Sequence, residues 1–265
     1  MPNDKTSPAE AIAVVCQPLA GLPACIAGST VTAETYGRPL AATSDTDVFC
    51  FSEQALIAGV QILLGNGFEL DERFKRVWQR WLRYGLRSWH TNSIRLLDPN
   101  GFEVNLVYKL TGGHPLTSLA AVLESFDFGL LATGYDLMLD QRMDLRSFLF
   151  PGMDVDGPLP MMPNKRSDWT KGFISQYNGL REMGRYAKYL NYGYDLSLVK
   201  PDLVTGYQQA ALYLLQREEP EKQQLGGIYL AISENIEADR ADELLSASKE
   251  LKTLDSLDAI MEALE

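Results

Sequence analysis

Helical and alternating apolar spacings follow one another along this chain. PAEAIAVVCQPLA at 8–20 predicts a short helix opened by Pro8, a residue suited to the first helical position, and Pro23 limits any extension. CIAGS at 25–29 is a small apolar run ending in Gly-Ser, and TSDTDVFCFS at 43–52 predicts a strand. A helix is then expected from Ser52 or Glu53, EQALIAGVQILLGNGF, with Leu56, Ile57, Val60, Leu63 and Leu64 on its apolar side and Gly65 and Gly67 at its end. A second helix is predicted from Glu72 to about Leu86. SIRLL at 93–97 and FEVNLVY at 102–108 flank Asp98-Pro99-Asn100-Gly101, a strong turn signal, and predict a hairpin. TGGHP at 111–115 predicts a loop and LTSLAAVLES at 116–125 a short helix. PGMDVDGPLPMMPNK at 151–165 is rich in Pro and Gly and lacks periodicity, which predicts a long loop serving as a boundary or a lid. Beyond it the chain reads as mostly helical, at about 167–190, 201–218 and 239–264. The pattern implies an α+β protein, with an α/β core over 1–150 and a mainly helical C-terminal region over 151–265.

Composition adds limits. With 46% hydrophobic and 22% charged residues over 265 positions, the chain can bury a sizeable core. No uncharged apolar run approaches the ~20 residues that span a bilayer, so no membrane partner is expected. The N-terminal Met1-Pro2-Asn3-Asp4-Lys5 has no basic stretch leading into an apolar one, so a cytoplasmic location is expected. Cys16, Cys25 and Cys50 lack CxxC spacing and read as reduced, mostly buried thiols.

The net charge of −11 argues against a general nucleic-acid coat, but the charge is uneven. Asp71 to Arg95 holds seven basic residues against two acids, with Phe74, Trp78, Trp81, Tyr84 and Trp89 interleaved. Residues 73–89 thus offer either phosphate contacts and stacking for a nucleic acid or a solvated helix with an aromatic core side. Arg217 to Glu265 carries 13 acids and 5 bases. The apolar residues of 239–264, among them Leu244, Leu245, Leu251 and Leu254, suit either a protein-docking face or the intramolecular core.

The candidate chemistry centres on Asp45 and Asp47. Residues i and i+2 of a strand point to the same face, so the two carboxylates project together. Val48, Phe49 and Phe51 beside them are apolar. Like charges at the end of a buried strand are costly unless neutralised, and a hard divalent cation with oxygen ligands does this well. Glu103 in FEVNLVY is a third carboxylate, with Asn105 on its side of the strand. If the hairpin lies beside the Asp45 strand, Glu103 completes the cluster; otherwise it is a solvated strand residue. Gly28-Ser29 would let backbone N–H groups approach a phosphate.

IAGS at 26–29, SDTDVF at 44–49 and Glu103 within FEVNLVY, in that order, resemble the DNA polymerase beta-like nucleotidyltransferase superfamily. Its members carry an apolar stretch ending in Gly-Gly or Gly-Ser, then a strand with Asp-x-Asp, then a third acid on a neighbouring strand. The resemblance covers about residues 20–110 and implies a nucleotidyltransferase-like small mixed sheet flanked by helices. It implies Mg²⁺ held by Asp45, Asp47 and Glu103, a nucleoside triphosphate cradled by Gly28 and Ser29, and transfer of a nucleotidyl group to an acceptor hydroxyl. Arg38, between the two motifs, is a further candidate for phosphate contact. Two departures stand out: the third acid is Glu rather than Asp, and the gap from Ser29 to Asp45 is long. ESFDFGLLATGYD at 124–136 and RYAKYLNYGYDL at 185–196 are more loosely similar to uncharacterised nucleotidyltransferase-like proteins of tailed bacteriophages. In the first segment Asp127 reads as a structural hydrogen-bonding residue or an anchor of the cleft. Lys165, Arg166, Arg181 and Arg185 form a second basic set that could face a triphosphate.

Other chemistries lack support. His90 and His114 have no zinc spacing with the cysteines, and GxSxG, GxGxxG and GxxxxGK[ST] are all missing. The expected activity is therefore Mg²⁺-dependent nucleotidyl transfer. The rivals are a degenerate nucleotidyltransferase fold acting as a binding or scaffold protein, and an antitoxin-like or regulatory partner docking through 239–264.

Overall fold

Ser7 opens the first helix with a reciprocal cap: its hydroxyl accepts from the Glu10 N–H, and the Glu10 carboxylate accepts from the Ser7 N–H. This helix, α1 (Pro8–Leu19), is followed by β1 (Ala24–Ala27), α2 (Ser29–Thr35), β2 (Thr46–Cys50), α3 (Glu53–Gly65), β3 (Glu69–Leu70) and α4 (Glu72–Tyr84). Next come β4 (Asn92–Leu97), β5 (Glu103–Tyr108), β6 (Leu110–Thr111), β7 (His114–Pro115), α5 (Leu119–Glu124), β8 (Thr133–Asp136), β9 (Gln141–Asp144) and α6 (Arg146–Leu149). The computed structural model describes residues 7–40, 44–85, 92–111, 113–163 and 176–253, with the side chains of 176–178 and 249–253 left out. The chain divides into two compact units, one of Met1–Phe126 with Leu130–Pro151 and one of Asp127–Gly129 with Gly152–Glu265.

The first unit is α+β. Its seven-stranded mixed sheet has the order β3-β4-β5-β2-β1-β8-β9 and is flanked by helices. β2 and β5 run parallel, and every other neighbouring pair in this sheet is antiparallel. Side-chain alternation gives the sheet two distinct faces. Ile26, Val48, Ile94, Leu96, Val104 and Leu106 are fully buried on one, against Val15 and Leu19 of α1, Leu56, Val60 and Leu63 of α3, and Trp78 and Trp81 of α4. Removing each such side chain from water contributes roughly 1.5–3 kcal/mol. Gly59 lets α3 approach closely, since a Cβ there would stand 2.7 Å from Leu106 Cδ2.

On the other face Cys25, Ala27, Phe49 and Val107 pack with Leu119, Val122 and Leu123. These last three come from α5, which lies on β1 and β8. The β4–β5 hairpin is closed at Asp98, whose Oδ1 accepts from the Asn100 and Phe102 N–H groups at 2.8 and 2.7 Å.

The second unit is helical: α7 (Gln176–Asn191), α8 (Lys200–Leu215), α9 (Pro220–Glu237) and α10 (Ala241–Thr253). α8 packs on α9 and α7 on α10. Tyr207 is fully buried, edge-on to Tyr229 with ring centroids 5.4 Å apart, and its hydroxyl donates to the Gly179 carbonyl. The Asp127–Gly129 segment joins this unit through the Phe128–Met161 bridge and a bond from the Met162 N–H to the Asp127 carbonyl.

Several expectations need correction. The 111–115 stretch is not simply a loop, because β6 and β7 form a minimal hairpin there. β8, β9 and α9 are elements that the apolar pattern misses. The 151–165 segment is irregular where described, but Leu159, Met161 and Met162 are core residues, so that part is packed in place rather than a lid. Residues 167–175 and 254–264 of the expected helices lie outside the described residues. No helix among the described residues is long and apolar enough to cross a membrane.

Candidate functional site

Asp47 lies within β2, and Asp45 precedes the strand by one residue. The backbone there is fixed by a small set of hydroxyls. Thr30 Oγ1 of α2 donates to the Asp45 carbonyl at 2.8 Å, and the Thr46 hydroxyl donates to Thr30 Oγ1 at 3.2 Å. Both threonines are fully buried. The antiparallel register sets Ala27 opposite Asp47, so the chain leaving β1 passes Asp47 as it turns into α2. Gly28 makes that turn with φ 95° and ψ −152°, a backbone region open almost only to glycine. A Cβ at Gly28 would stand 3.3 Å from Asp47 Oδ2. Ser29 follows, 6% exposed, with its Oγ buried and lacking a hydrogen-bond partner.

The parallel pairing of β2 with β5 places Asn105 directly beside Asp47. Asn105 Nδ2 donates to Asp47 Oδ1 at 2.9 Å. Glu103, two residues earlier on the same side of β5, belongs to this face as well. The hairpin adds Arg95, whose register partner is Asn105. Arg95 Nη1 lies 2.9 Å from Glu103 Oε2, and Nη2 lies 3.9 Å from Asp45 Oδ2. The side chains of Asp45, Arg95 and Glu103 are 21%, 27% and 38% exposed. Arg95 Nε is buried without a partner, and an orphan donor of this kind costs about 1–3 kcal/mol.

Asp45, Asp47 and Glu103 therefore share the face opposite α1, α3 and α4, with an amide and a guanidinium between them. Among the described residues, no three His, Cys, Asp or Glu side chains are arranged to hold a metal ion. Arg95 and Thr30 were not among the expected site residues. Arg95 was legible: once the Asp98–Gly101 turn fixes the register, it falls diagonally across from Glu103. Thr30 carries no such signal.

Other candidates fall elsewhere. Arg38 follows α2 at its C-terminal end, the end away from Gly28 and Ser29. In α4, Trp78 and Trp81 are each only 7% exposed and pack in the core, so they are not a stacking platform. Arg73, at the start of α4, pairs with Asp71 and also feels the charge of Glu103. Trp89, Arg87 and His90 lie outside the described residues, as do Lys165 and Arg166. Arg185 pairs with Asp127 and, at 2.7 Å, with Glu182. Phe128 stacks edge-on with Tyr189 at 5.9 Å. Asp127 and Phe128 of the SFDF segment thus meet RYAKY within the second unit, and Asp127 serves there as a structural ion-pair partner.

No protein-family model matches the chain, and no curated protein matches it.

Proposed function

We propose that this protein transfers a nucleotidyl group from a nucleoside triphosphate to an acceptor hydroxyl, releasing pyrophosphate, with the help of Mg²⁺. The observation that carries the reading is the pairing of three strands. The Gly28-Ser29 turn, the Asp45/Asp47 pair and Glu103 come from β1, β2 and β5, which are neighbours in the sheet. This supports the resemblance that their order suggests. Asp45 and Asp47 also offer the hard carboxylate oxygens that Mg²⁺ takes. Gly28 leaves beside Asp47 the room that a Cβ would fill, and the orphan Ser29 hydroxyl is a donor suited to a phosphate oxygen.

In this reading Asp45 and Asp47 hold the ion, which when bound offsets charge on the triphosphate. Asn105 orients Asp47 by donating to Oδ1, while Oδ2 faces Gly28. Gly28 and Ser29 bind the phosphate end. Glu103, released from Arg95, accepts the proton of the acceptor hydroxyl.

A second reading is favoured by the contacts of the acids themselves: Arg95 pairs with Glu103 and Asn105 bonds Asp47. On that view the fold is catalytically degenerate and serves as a binding or scaffold protein. Calorimetric titration of ATP, GTP, CTP and UTP, with and without Mg²⁺, separates the two. Transferase function requires Mg²⁺-dependent binding of at least one triphosphate, lost in Asp45→Asn/Asp47→Asn. A folded wild type that binds none of the four moves the assignment to the scaffold.

A further inference from the structure

Arginines of the first unit are held in two different ways. Arg146 is locked: its Nε and Nη2 both donate to Asp144, at 2.9 and 2.7 Å, and its side chain is 4% exposed. Arg73 likewise forks onto Asp71 through Nε at 3.1 Å and Nη2 at 2.6 Å. Such two-point forks are the strong, geometrically fixed form of an arginine–carboxylate pair. Arg95 has none. It reaches Glu103 through Nη1 alone, stands beyond hydrogen-bond distance of Asp45, and leaves its Nε buried and unpartnered. Arg142 too reaches its acid, Glu34, through Nη1 alone, but its Nη2 donates to Thr35; Arg95 is set apart by its buried, unpartnered Nε and by standing between two of the candidate metal ligands.

We propose that Arg95 is a built-in counter-cation that competes with the divalent ion for Asp45 and Glu103 and so sets the metal affinity of the site. This inference rests on the metal-binding reading above and names its control. Without a metal, three carboxylates on one sheet face repel one another, and one positive charge among them relieves that repulsion. The same charge repels an incoming divalent ion and holds Glu103 away from it. Single-point attachment lets the guanidinium leave when a doubly charged ion arrives, because little hydrogen bonding is lost. The free site is thereby kept from trapping metal on its own.

The test is Mn²⁺ binding, followed by calorimetry, on the full chain with folding checked by circular dichroism. Arg95→Met keeps the length of the stem and removes the charge. It is expected to bind Mn²⁺ at least ~10-fold more tightly than wild type, as the strength of charge–charge interaction at about 4 Å implies, while Asp45→Asn/Asp47→Asn binds none. Equal affinities in wild type and Arg95→Met, with binding still lost in the Asp45→Asn/Asp47→Asn protein, would overturn the counter-cation role and leave the metal reading standing. No Mn²⁺ binding by either wild type or Arg95→Met brings down both. If Arg95→Met does not fold, Arg95→Gln decides: it removes the charge and keeps a polar head, so Mn²⁺ should bind several-fold more tightly than in wild type, and an unchanged affinity overturns the role.

Discussion

The two faces of the central sheet are built from the same strands and differ in how far apolar packing covers them. Val48, Val104 and Leu106 turn to one side and are fully buried under α1, α3 and α4. Asp47, Glu103 and Asn105, their immediate neighbours in sequence, turn to the other and stay partly exposed. Period-two alternation alone makes this separation. Burial on the first face is the main source of stability. The second face concentrates like charge, which opposes folding unless it is balanced. The first face is covered along its strands, while on the second a smaller core of Cys25, Ala27, Phe49 and Val107 packs with α5 and the acids gather beside it.

This contrast can be tested by substitution. Leu106→Ala, on the covered face, is expected to cost about 2–5 kcal/mol through lost burial and a residual cavity; the readout is the midpoint of urea unfolding. Gly28→Ala brings strain to the other face. Its backbone conformation is disfavoured for alanine by about 1–3 kcal/mol, and the new methyl group presses on Asp47 Oδ2. The expected result is a moderate loss of stability with a disproportionate loss of Mg²⁺-dependent triphosphate binding.

Asp71→Ala removes the cap of α4, worth about 1 kcal/mol. Bonding to Arg73 lowers the Asp71 carboxyl from 3.8 to about 2. A lowered folded-state pKa stabilises above the unfolded value and stops doing so as pH falls through the folded one. The stability gap between wild type and Asp71→Ala is therefore expected to be full above pH 4 and to close towards pH 2. Smallest of all, Asp45→Asn/Asp47→Asn should shift stability by no more than about 0.5–1 kcal/mol while abolishing metal binding. A large loss of stability there would dissolve the distinction between the two faces.

Much of this was readable from residues. Ser52 and Ser118 cap α3 and α5 where polar residues precede apolar runs. The Asp98–Gly101 turn announces the hairpin. The Asp45/Asp47 pair falls on one face by alternation alone. What escaped has physical reasons. β8 and β9 are short, one is interrupted by Gly134 and the other lies at the sheet edge, so neither shows clean alternation. α9 contains Gly226 and Gly227 near its middle, residues that weaken a helical reading, and tertiary packing on α8 overrides them. In α4 the aromatic residues could be read as platform or core, and only the sheet beneath Trp78 and Trp81 decides. Arg95 was counted within a basic run, though its place in the hairpin makes it a partner of acids.

The parallel pairing of β2 with β5 also bears on how the protein assembles. Asp47 and Asn105 are 58 residues apart, while Arg95 and Glu103 are joined by one tight hairpin. Contacts close in sequence form sooner than those that must first close a long loop. Arg95 thus meets Glu103 before the strand bearing two further acids arrives. The β4–β5 hairpin presents β2 with an edge whose own acid is already neutralised, and the β2–β5 pairing is spared a clash of like charges. In stopped-flow refolding, Arg95→Met is expected to slow the main phase, with the largest effect at low ionic strength; a refolding rate equal to wild type at every salt concentration would contradict this order.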